Sequence, residues 1–426
     1  MFRYKIISVT GTKGKTSVVR MLDYLFLAKK NIDVLRVDSD GHYLNGIQRS
    51  TFKESVKFYW LYPTLAPGRF LYEFKDKTDG EGVAIFESSI GCSRGSGTAY
   101  NLHHVGIFTN VFEDHLDGKK LKTKKDILQR KSSFILRIYN EGSFVYNYDD
   151  ELLRGLRNKI RRKKLDLVAV SLDYSVEYLK KKLRKEVRII TVKDDKIIQL
   201  GKRGEDNIEL LDLNKFDNAP IHYKPFIYNL LFTLAGALSY GLSIKDLEAI
   251  YNYQFSFKGG RMTLFKVDDK FVLLDYAHEK YSLKSLAEYV RATGRYNIGV
   301  IRLDYKRTLQ LIKETGQFLA DEFDEYFIYD KIDGVKEGYY MYKGEERKKG
   351  QISKILFNAI KNNRKKNKKV YRYLQEKLAF QKALQKIKKG GIVVLIVDDL
   401  QADLKFLKKQ GAKRVKFSEL YKIKNV

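Results

Sequence analysis

The chain has 426 residues, 44% of them hydrophobic and 13% aromatic, a composition that can bury a core and excludes a wholly disordered protein. Its single cysteine, Cys92, excludes a disulfide scaffold and a cysteine-built zinc site. Lys and Arg total 82 against 52 Asp and Glu, and the resulting +30 suits nucleic acid or an anionic substrate, although a lysine-rich composition accounts for it more simply.

Residues 1–10 (MFRYKIISVT) are too short and polar for a signal-peptide core. No run reaches the roughly 18 apolar residues of a spanning helix. The expectation is a soluble, cytoplasmic protein with no membrane contact. Residues 5–9 read as a strand, followed by a glycine-rich turn and an apolar-periodic helix over 17–28. Short apolar strands follow at 34–37, 83–86, 105–108 and 144–146, separated by helical or glycine-rich stretches. This alternation predicts an α/β domain with a mainly parallel sheet. Residues 189–200 read as a hairpin turning at Asp194-Asp195, and 226–240 as an apolar helix. Gly259-Gly260 reads as a hinge, giving domains over 1–258 and 261–426. Beyond it a smaller, Rossmann-like α/β pattern restarts, with strands at 271–274, 298–301, 326–329 and 392–397 and a helix at 282–292. The basic run KNNRKKNKK at 361–369 reads as a solvated loop or helix end, with a phosphate patch as the lesser alternative.

Five segments carry chemistry. Thr10-Gly11-Thr12-Lys13-Gly14-Lys15-Thr16-Ser17 lies between a strand and a helix, where backbone N–H groups face phosphate. In such a loop a lysine reaches the β/γ-phosphates and a hydroxyl holds Mg²⁺. The usual P-loop spacing is broken, since its first glycine would fall at Val9. Glu87 ends an apolar strand, as a cap or as a metal ligand in the ligand crevice of an open sheet. After the next strand comes Thr109-Asn110-Val111-Phe112-Glu113-Asp114-His115-Leu116, with one of only six histidines beside acids. Asp275-Tyr276-Ala277-His278 again follows an apolar run. Arg261, just before it, is a phosphate clamp or an ordinary surface arginine.

Together and in this order, these segments resemble the Mur ligase superfamily of ATP-dependent amide ligases. Its loop reads T-G-T-x-G-K-T, which explains the missing glycine. Its T-N-x-x-x-D-H-L matches residues 109–116, its lysine ahead of N-x-D-D matches Lys131 and Asn147-Tyr148-Asp149-Asp150, and its D-Y-A-H matches residues 275–278. The resemblance runs from about residue 6 to about residue 400. Within the superfamily the chain is most similar to the ligase half of cyanophycin synthetase. Asp38-Ser39-Asp40-Gly41-His42-Tyr43, residues 87–95 (ESSIGCSRG), Pro225-Phe226 ahead of Asn229, and Val397-Asp398-Asp399 carry that likeness. Neither an ATP-grasp half nor a UDP-binding N-terminal domain is expected in the chain. A stand-alone pseudomurein peptide ligase is therefore the implied relative.

What the resemblance implies is a two-step ligation through an acyl phosphate. Gly11, Thr12, Lys13, Gly14, Lys15, Thr16 and Ser17 would bind ATP, with Asn110, Asn229, Arg261 and Asp275. Two Mg²⁺ ions are implied, for which Mn²⁺ can stand in, on Thr16 or Ser17 and on Glu87 and His115. Lys131 sits where many relatives carry a carbamylated lysine. Lys15, Glu87, His115 and Lys131 would be catalytic, and Arg94 and His278 would meet the acceptor. The partners implied are a small-molecule or nucleotide-linked peptide acceptor and a free amino acid. Departures occur where relatives choose that amino acid: Glu279-Lys280 replaces Asn-Pro, and residues 302–307 (RLDYKR) replace a G-D-R segment. Only Asn229 survives from the family's H-N-x-x-N. The alternatives are a cyanophycin- or poly-γ-glutamate-type polymer ligase and, from another class, a nucleic-acid-dependent P-loop ATPase.

Overall fold

The computed structural model describes residues 4–29, 31–51, 54, 64, 67–74, 82–89, 100–112, 123–160, 164–202, 205–253, 260–305, 307–331, 339–342 and 345–421. They divide into two compact units, Met1–Phe216 with Pro225–Tyr253, and Asp217–Lys224 with Gln254–Val426. Among the described residues no helix is long and apolar enough to cross a membrane.

The first unit is built on one sheet of eleven strands. They are β1 (Tyr4–Thr10), β2 (Asp33–Asp38), β3 (Gly41–Leu44), β4 (Ile47–Thr51), β5 (Gly82–Glu87), β6 (His103–Phe108), β7 (Ile138–Asn147), β8 (Asp166–Val170), β9 (Arg188–Lys193), β10 (Lys196–Gln199) and β11 (Ile208–Asp212). Their order is β11-β10-β9-β8-β7-β6-β1-β5-β2-β3-β4. The run from β2 to β9 is parallel, and antiparallel hairpins finish both edges. The central strands read as continuous apolar runs because helices cover both faces. Helix Lys15–Ala28 supplies one cover, burying Val18, Leu22, Leu25 and Phe26 on a single stripe. Helix Lys224–Tyr240 is apolar almost all round and lies buried.

The hairpin at Asp194-Asp195 forms as its residues dictate. Both adopt left-handed backbone, φ 50° and 56°, which aspartate tolerates and a two-residue turn requires. The first helix begins at Lys15, two residues before the apolar periodicity starts. Gly14 caps it with φ 83° and offers no side chain, so the first-turn N–H groups face outward.

The second unit carries β12 (Thr263–Val267), β13 (Lys270–Asp275), β14 (Asn297–Ile301), β15 (Glu325–Ile328), β16 (Tyr339–Tyr342), β17 (Glu345–Lys348), β18 (Lys369–Arg372), β19 (Ile392–Ile396) and β20 (Lys413–Arg414). Seven of these form a sheet ordered β18-β15-β14-β19-β13-β12-β20, parallel from β18 to β13. Residues 217–224, which the sequence reading groups with the first domain, pack with this unit: His222 lies 4.6 Å from the Tyr421 ring and Tyr223 5.4 Å from that of Tyr289. The basic run at 361–369 ends helix Gln351–Asn363 and turns into β18. The Lys368 ammonium donates there to the carbonyls of Asp321 and Phe323. Arg302 is buried against Asp398 at 3.2 Å and donates to the Val397 carbonyl, so it braces β14 against β19.

A carboxylate pair sits at the carboxyl ends of these strands. Glu376 accepts the N–H groups of Asp398 (2.6 Å) and Asp399 (2.9 Å) and the Tyr329 hydroxyl (2.9 Å). Asp403 is buried against it. Burial first, and then the Glu376 carboxylate, push Asp403 up to about 9, so the two acids together hold a proton across the neutral range. The native state therefore binds a proton that the unfolded chain releases near pH 4. That stability is full below the unfolded value and is lost as pH rises toward the raised one. Asp403→Asn imitates the protonated acid and removes this slope. The variant should melt about 3 °C or more above the parent chain near pH 8, with a smaller gap near pH 5. Scanning calorimetry at both pH values reads the difference.

Candidate functional site

The sheet register gathers the carboxyl ends of β1, β5 and β6. Val9 stands opposite Glu87, and Thr10 opposite Phe108. The chain then turns through Gly11–Gly14 into the first helix. Gly11 has φ 137°, and a Cβ there would lie 2.0 Å from Thr109 Oγ1. At Gly14 a Cβ would lie 2.3 Å from Asn229 Oδ1. Both glycines are thus required by conformation and by space.

The segment after β6 latches this loop. Asn110 accepts the Thr12 N–H on its carbonyl (3.0 Å) and the Lys13 N–H on Oδ1 (2.8 Å). Its side-chain amide donates to the Lys13 carbonyl, as does the Thr109 hydroxyl at 2.7 Å. Asn110, expected at ATP, spends its side chain holding the loop. Asn147 donates to the Thr109 carbonyl, and Asp150 accepts the Val111 N–H while capping helix Glu151–Lys159. Asp149 accepts from Ser171, Leu172 and Tyr228, the neighbour of Asn229. The N-x-D-D segment therefore ties β7, β6 and the Asn229 helix together. Sequence reasoning used it only as a family marker.

Three polar groups meet at the mouth of the loop. The Thr16 hydroxyl donates to Glu87 Oε2 at 2.8 Å. The Lys15 ammonium donates to the Thr12 carbonyl (3.1 Å) and lies 3.9 Å from Glu87 Oε1. The Ser39 N–H also points at Glu87 Oε2, at 3.3 Å. Glu87 is buried, and these partners occupy both of its carboxylate oxygens. Beneath the loop Lys131, buried on helix Lys124–Leu136, donates to Thr10 Oγ1 at 3.3 Å. That hydroxyl in turn donates to the Ser88 carbonyl. Ser17 lies in the first turn of the helix.

The first unit thus brings together residues 11–17, Glu87, Asn110, Lys131 and Asn229. Arg94 and His115 lie outside the described residues. Among the described residues no cluster of three His, Cys, Asp or Glu could hold a metal ion. The Thr16 hydroxyl and Glu87 carboxylate are nonetheless adjacent hard oxygen donors, the type that suits Mg²⁺ shared with a phosphate.

In the second unit, Asp275 ends β13 and accepts the N–H groups of Met262 (2.9 Å) and Ala277 (2.7 Å). Burial raises its pKa, and the Arg261 charge works against that rise. The exposed Arg261 guanidinium stands 5.9 Å from the Tyr276 ring. His278 Nδ1 is 2.7 Å from the Tyr276 carbonyl.

Residues 9–211 match the Mur ligase middle domain. The chain is 24% identical to a cyanophycin synthetase of Nostoc sp. over 429 aligned residues, covering 96% of this chain and 43% of that protein. It therefore spans less than half the length of the cyanophycin synthetases it matches. It is 25% identical to UDP-N-acetylmuramoyl-L-alanyl-D-glutamate--2,6-diaminopimelate ligase 1 of Clostridium acetobutylicum, covering 85% of this chain and 72% of that one. In fold it is similar to a Yersinia pestis bifunctional folylpolyglutamate synthase/dihydrofolate synthase complexed with AMPPNP and Mn, with TM-score 0.65, 16% identity, and 94% and 89% of the two chains covered. The α/β architecture and its large, mostly parallel sheets are those of such ligases. Residues 9–211 thus match a Mur ligase middle domain, and over most of its length the chain is similar to cyanophycin synthetases and Mur ligases.

Proposed function

We propose that this chain is an ATP- and Mg²⁺-dependent carboxylate–amine ligase that adds an amino acid to a cell-wall peptide precursor of the pseudomurein type, carried on a nucleotide. The observation that carries the chemistry is the meeting of Lys15, Thr16 and Glu87 at a helix start that no side chain caps. Phosphoryl transfer needs positioning and charge neutralisation more than covalent help, and this corner supplies both. The loop N–H groups and Lys15 hold the β- and γ-phosphates of ATP. Thr16 and Glu87 would hold Mg²⁺, which when bound neutralises phosphate oxygens. A carboxylate oxygen of the acceptor attacks the γ-phosphorus and ADP leaves. The amine nitrogen of the incoming amino acid then attacks the acyl carbon, phosphate leaves, and the nitrogen loses a proton. Lys15 faces the phosphoryl oxygens throughout. The +30 charge gives an anionic, nucleotide-linked acceptor a favourable field.

The second reading, a cyanophycin-type polymer ligase, rests on the likeness to cyanophycin synthetase across 96% of this chain. One assay separates the readings. Phosphate release from Mg²⁺·ATP is measured across UDP-linked glutamyl peptides, free peptides and β-Asp-Arg primers, each with single amino acids, and products are weighed by mass spectrometry. A single addition to a nucleotide-linked peptide supports the precursor ligase. A ladder of additions to a primer supports the polymer ligase. Release driven by DNA or RNA alone would overturn both.

A further inference from the structure

The Glu87 carboxylate is aimed by a charge network that the ligase chemistry does not itself use. Arg20 lies four residues after Thr16, on the same face of the first helix. Its Nε donates to Asp38 Oδ2 at 3.0 Å and its Nη2 donates to Asp40 Oδ2. Asp38 Oδ1 accepts the Asp40 N–H at 2.8 Å, closing the turn on itself. Between the two aspartates stands Ser39, whose N–H meets the same Glu87 oxygen that Thr16 bonds. One planar fork thus grips both ends of a three-residue turn whose middle N–H points at the site.

We propose that Arg20 is a positioning residue: it staples the turn after β2 to the helix that carries Thr16, so that the Ser39 N–H fixes the Glu87 carboxylate for metal and phosphate. The proposal rests on the ligase reading and deepens it. The two legs of the fork differ in weight. The Asp40 side chain is 55% exposed, so its pair with Arg20 is screened by water and contributes little. The Asp38 side chain is wholly buried, and its charge must be met inside the protein. Arg36 also approaches Asp38, at 3.5 Å, while pairing with Asp23 at 2.7 Å and lying over the Tyr43 ring. Loss of Arg20 therefore leaves Asp38 with a cation, and the fold survives while the turn loosens.

The test is a double-mutant cycle of Arg20→Gln and Glu87→Gln, with Arg20→Lys as the conservative variant. The readouts are the Mg²⁺ concentration giving half-maximal binding of AMP-PNP by calorimetry, the same quantity for phosphate release, and the melting temperature. Groups that orient a metal-binding carboxylate change metal affinity by about 10-fold to 100-fold. Arg20→Gln should raise the Mg²⁺ requirement by about 10-fold, with partial recovery in Arg20→Lys. In the Glu87→Gln background Arg20→Gln should add nothing, because the group it aims is gone. Effects that simply add, or an unchanged Mg²⁺ requirement, would overturn the assignment and leave Arg20 a structural ion pair. Where Arg20→Gln fails to fold, Arg20→Lys carries the same cycle. Parent protein that binds no Mg²⁺·AMP-PNP would sink the ligase reading and this one with it, whereas additive effects on intact nucleotide binding sink this one alone.

Discussion

Lys15→Ala should lower ligation by about 10³-fold, the upper range for deleting one preorganised donor to a developing anion, while the protein melts within a few degrees of the parent. The Lys15 ammonium is held by the Thr12 carbonyl and stands 3.9 Å from Glu87, and its side chain is 16% exposed, so it reaches the mouth of the loop without being part of the core. Removing it takes away the cation that faces the phosphates. It also leaves Glu87 with two neutral donors, Thr16 and Ser39. Lys15→Arg should fare little better, because a planar fork cannot replace a compact point charge in a corner closed by Gly11 and Gly14. Phosphate release under single-turnover conditions, beside thermal melts, reads both variants. More than about a tenth of parental turnover in Lys15→Ala would remove this lysine from the transfer step.

The strand–loop–helix start was legible because three local rules agree there: an apolar strand, glycines where no Cβ fits, and an apolar stripe at helical spacing. The stripe placed the helix start at 17 because it follows side chains, whereas the true start follows Gly14 and the backbone. The Asp194-Asp195 turn was legible for a similar reason, since two residues that tolerate positive φ sit between two apolar runs. The Arg20–Asp38–Asp40 staple was not. Asp38 to Tyr43 stood out as a likeness, but the charges converge only once β2 and β3 form a hairpin beside the first helix. The Glu376–Asp403 pair was invisible for the same reason, its members lying on different helices 27 residues apart. Helices Gln351–Asn363, Glu376–Lys386 and Leu400–Lys409 also escaped, although the first of them carries its buried Ile352, Leu356, Ala359 and Ile360 at helical spacing. Residues 217–224 pass to the second unit through ring contacts of His222 and Tyr223, and Pro220 within the segment and Pro225 at its end were the local signals for the crossing.

Lys131→Ala should lose about 100-fold in ligation, the upper end of the effect of removing a group that supports a metal site, and short carboxylates should restore part of it. The argument begins with burial. Lys131 is 4% exposed, and its ammonium reaches Thr10 Oγ1, the hydroxyl that also bonds the Ser88 carbonyl next to Glu87. A carbamate would form there by addition of CO₂ to the neutral amine with release of a proton, exchanging a buried cation for a buried anion whose charge a divalent cation would meet. The lysine would then present a carboxylate beneath the phosphate loop, where one more oxygen donor suits a divalent cation. Two kinds of variant separate a carbamate from a plain ammonium. Lys131→Ala leaves a space that formate, acetate or propionate can enter, so added carboxylate should raise its activity without affecting the parent. Lys131→Arg keeps the positive charge, fills the space and cannot be carbamylated, so it should stay inactive with or without added carboxylate. A ¹³C carbamate resonance in parent protein equilibrated with labelled bicarbonate, absent from both variants, is the direct signature. Rescue without the resonance would place the carboxylate requirement elsewhere. An active Lys131→Arg would show that the positive charge itself, and no carbamate, is what the loop requires.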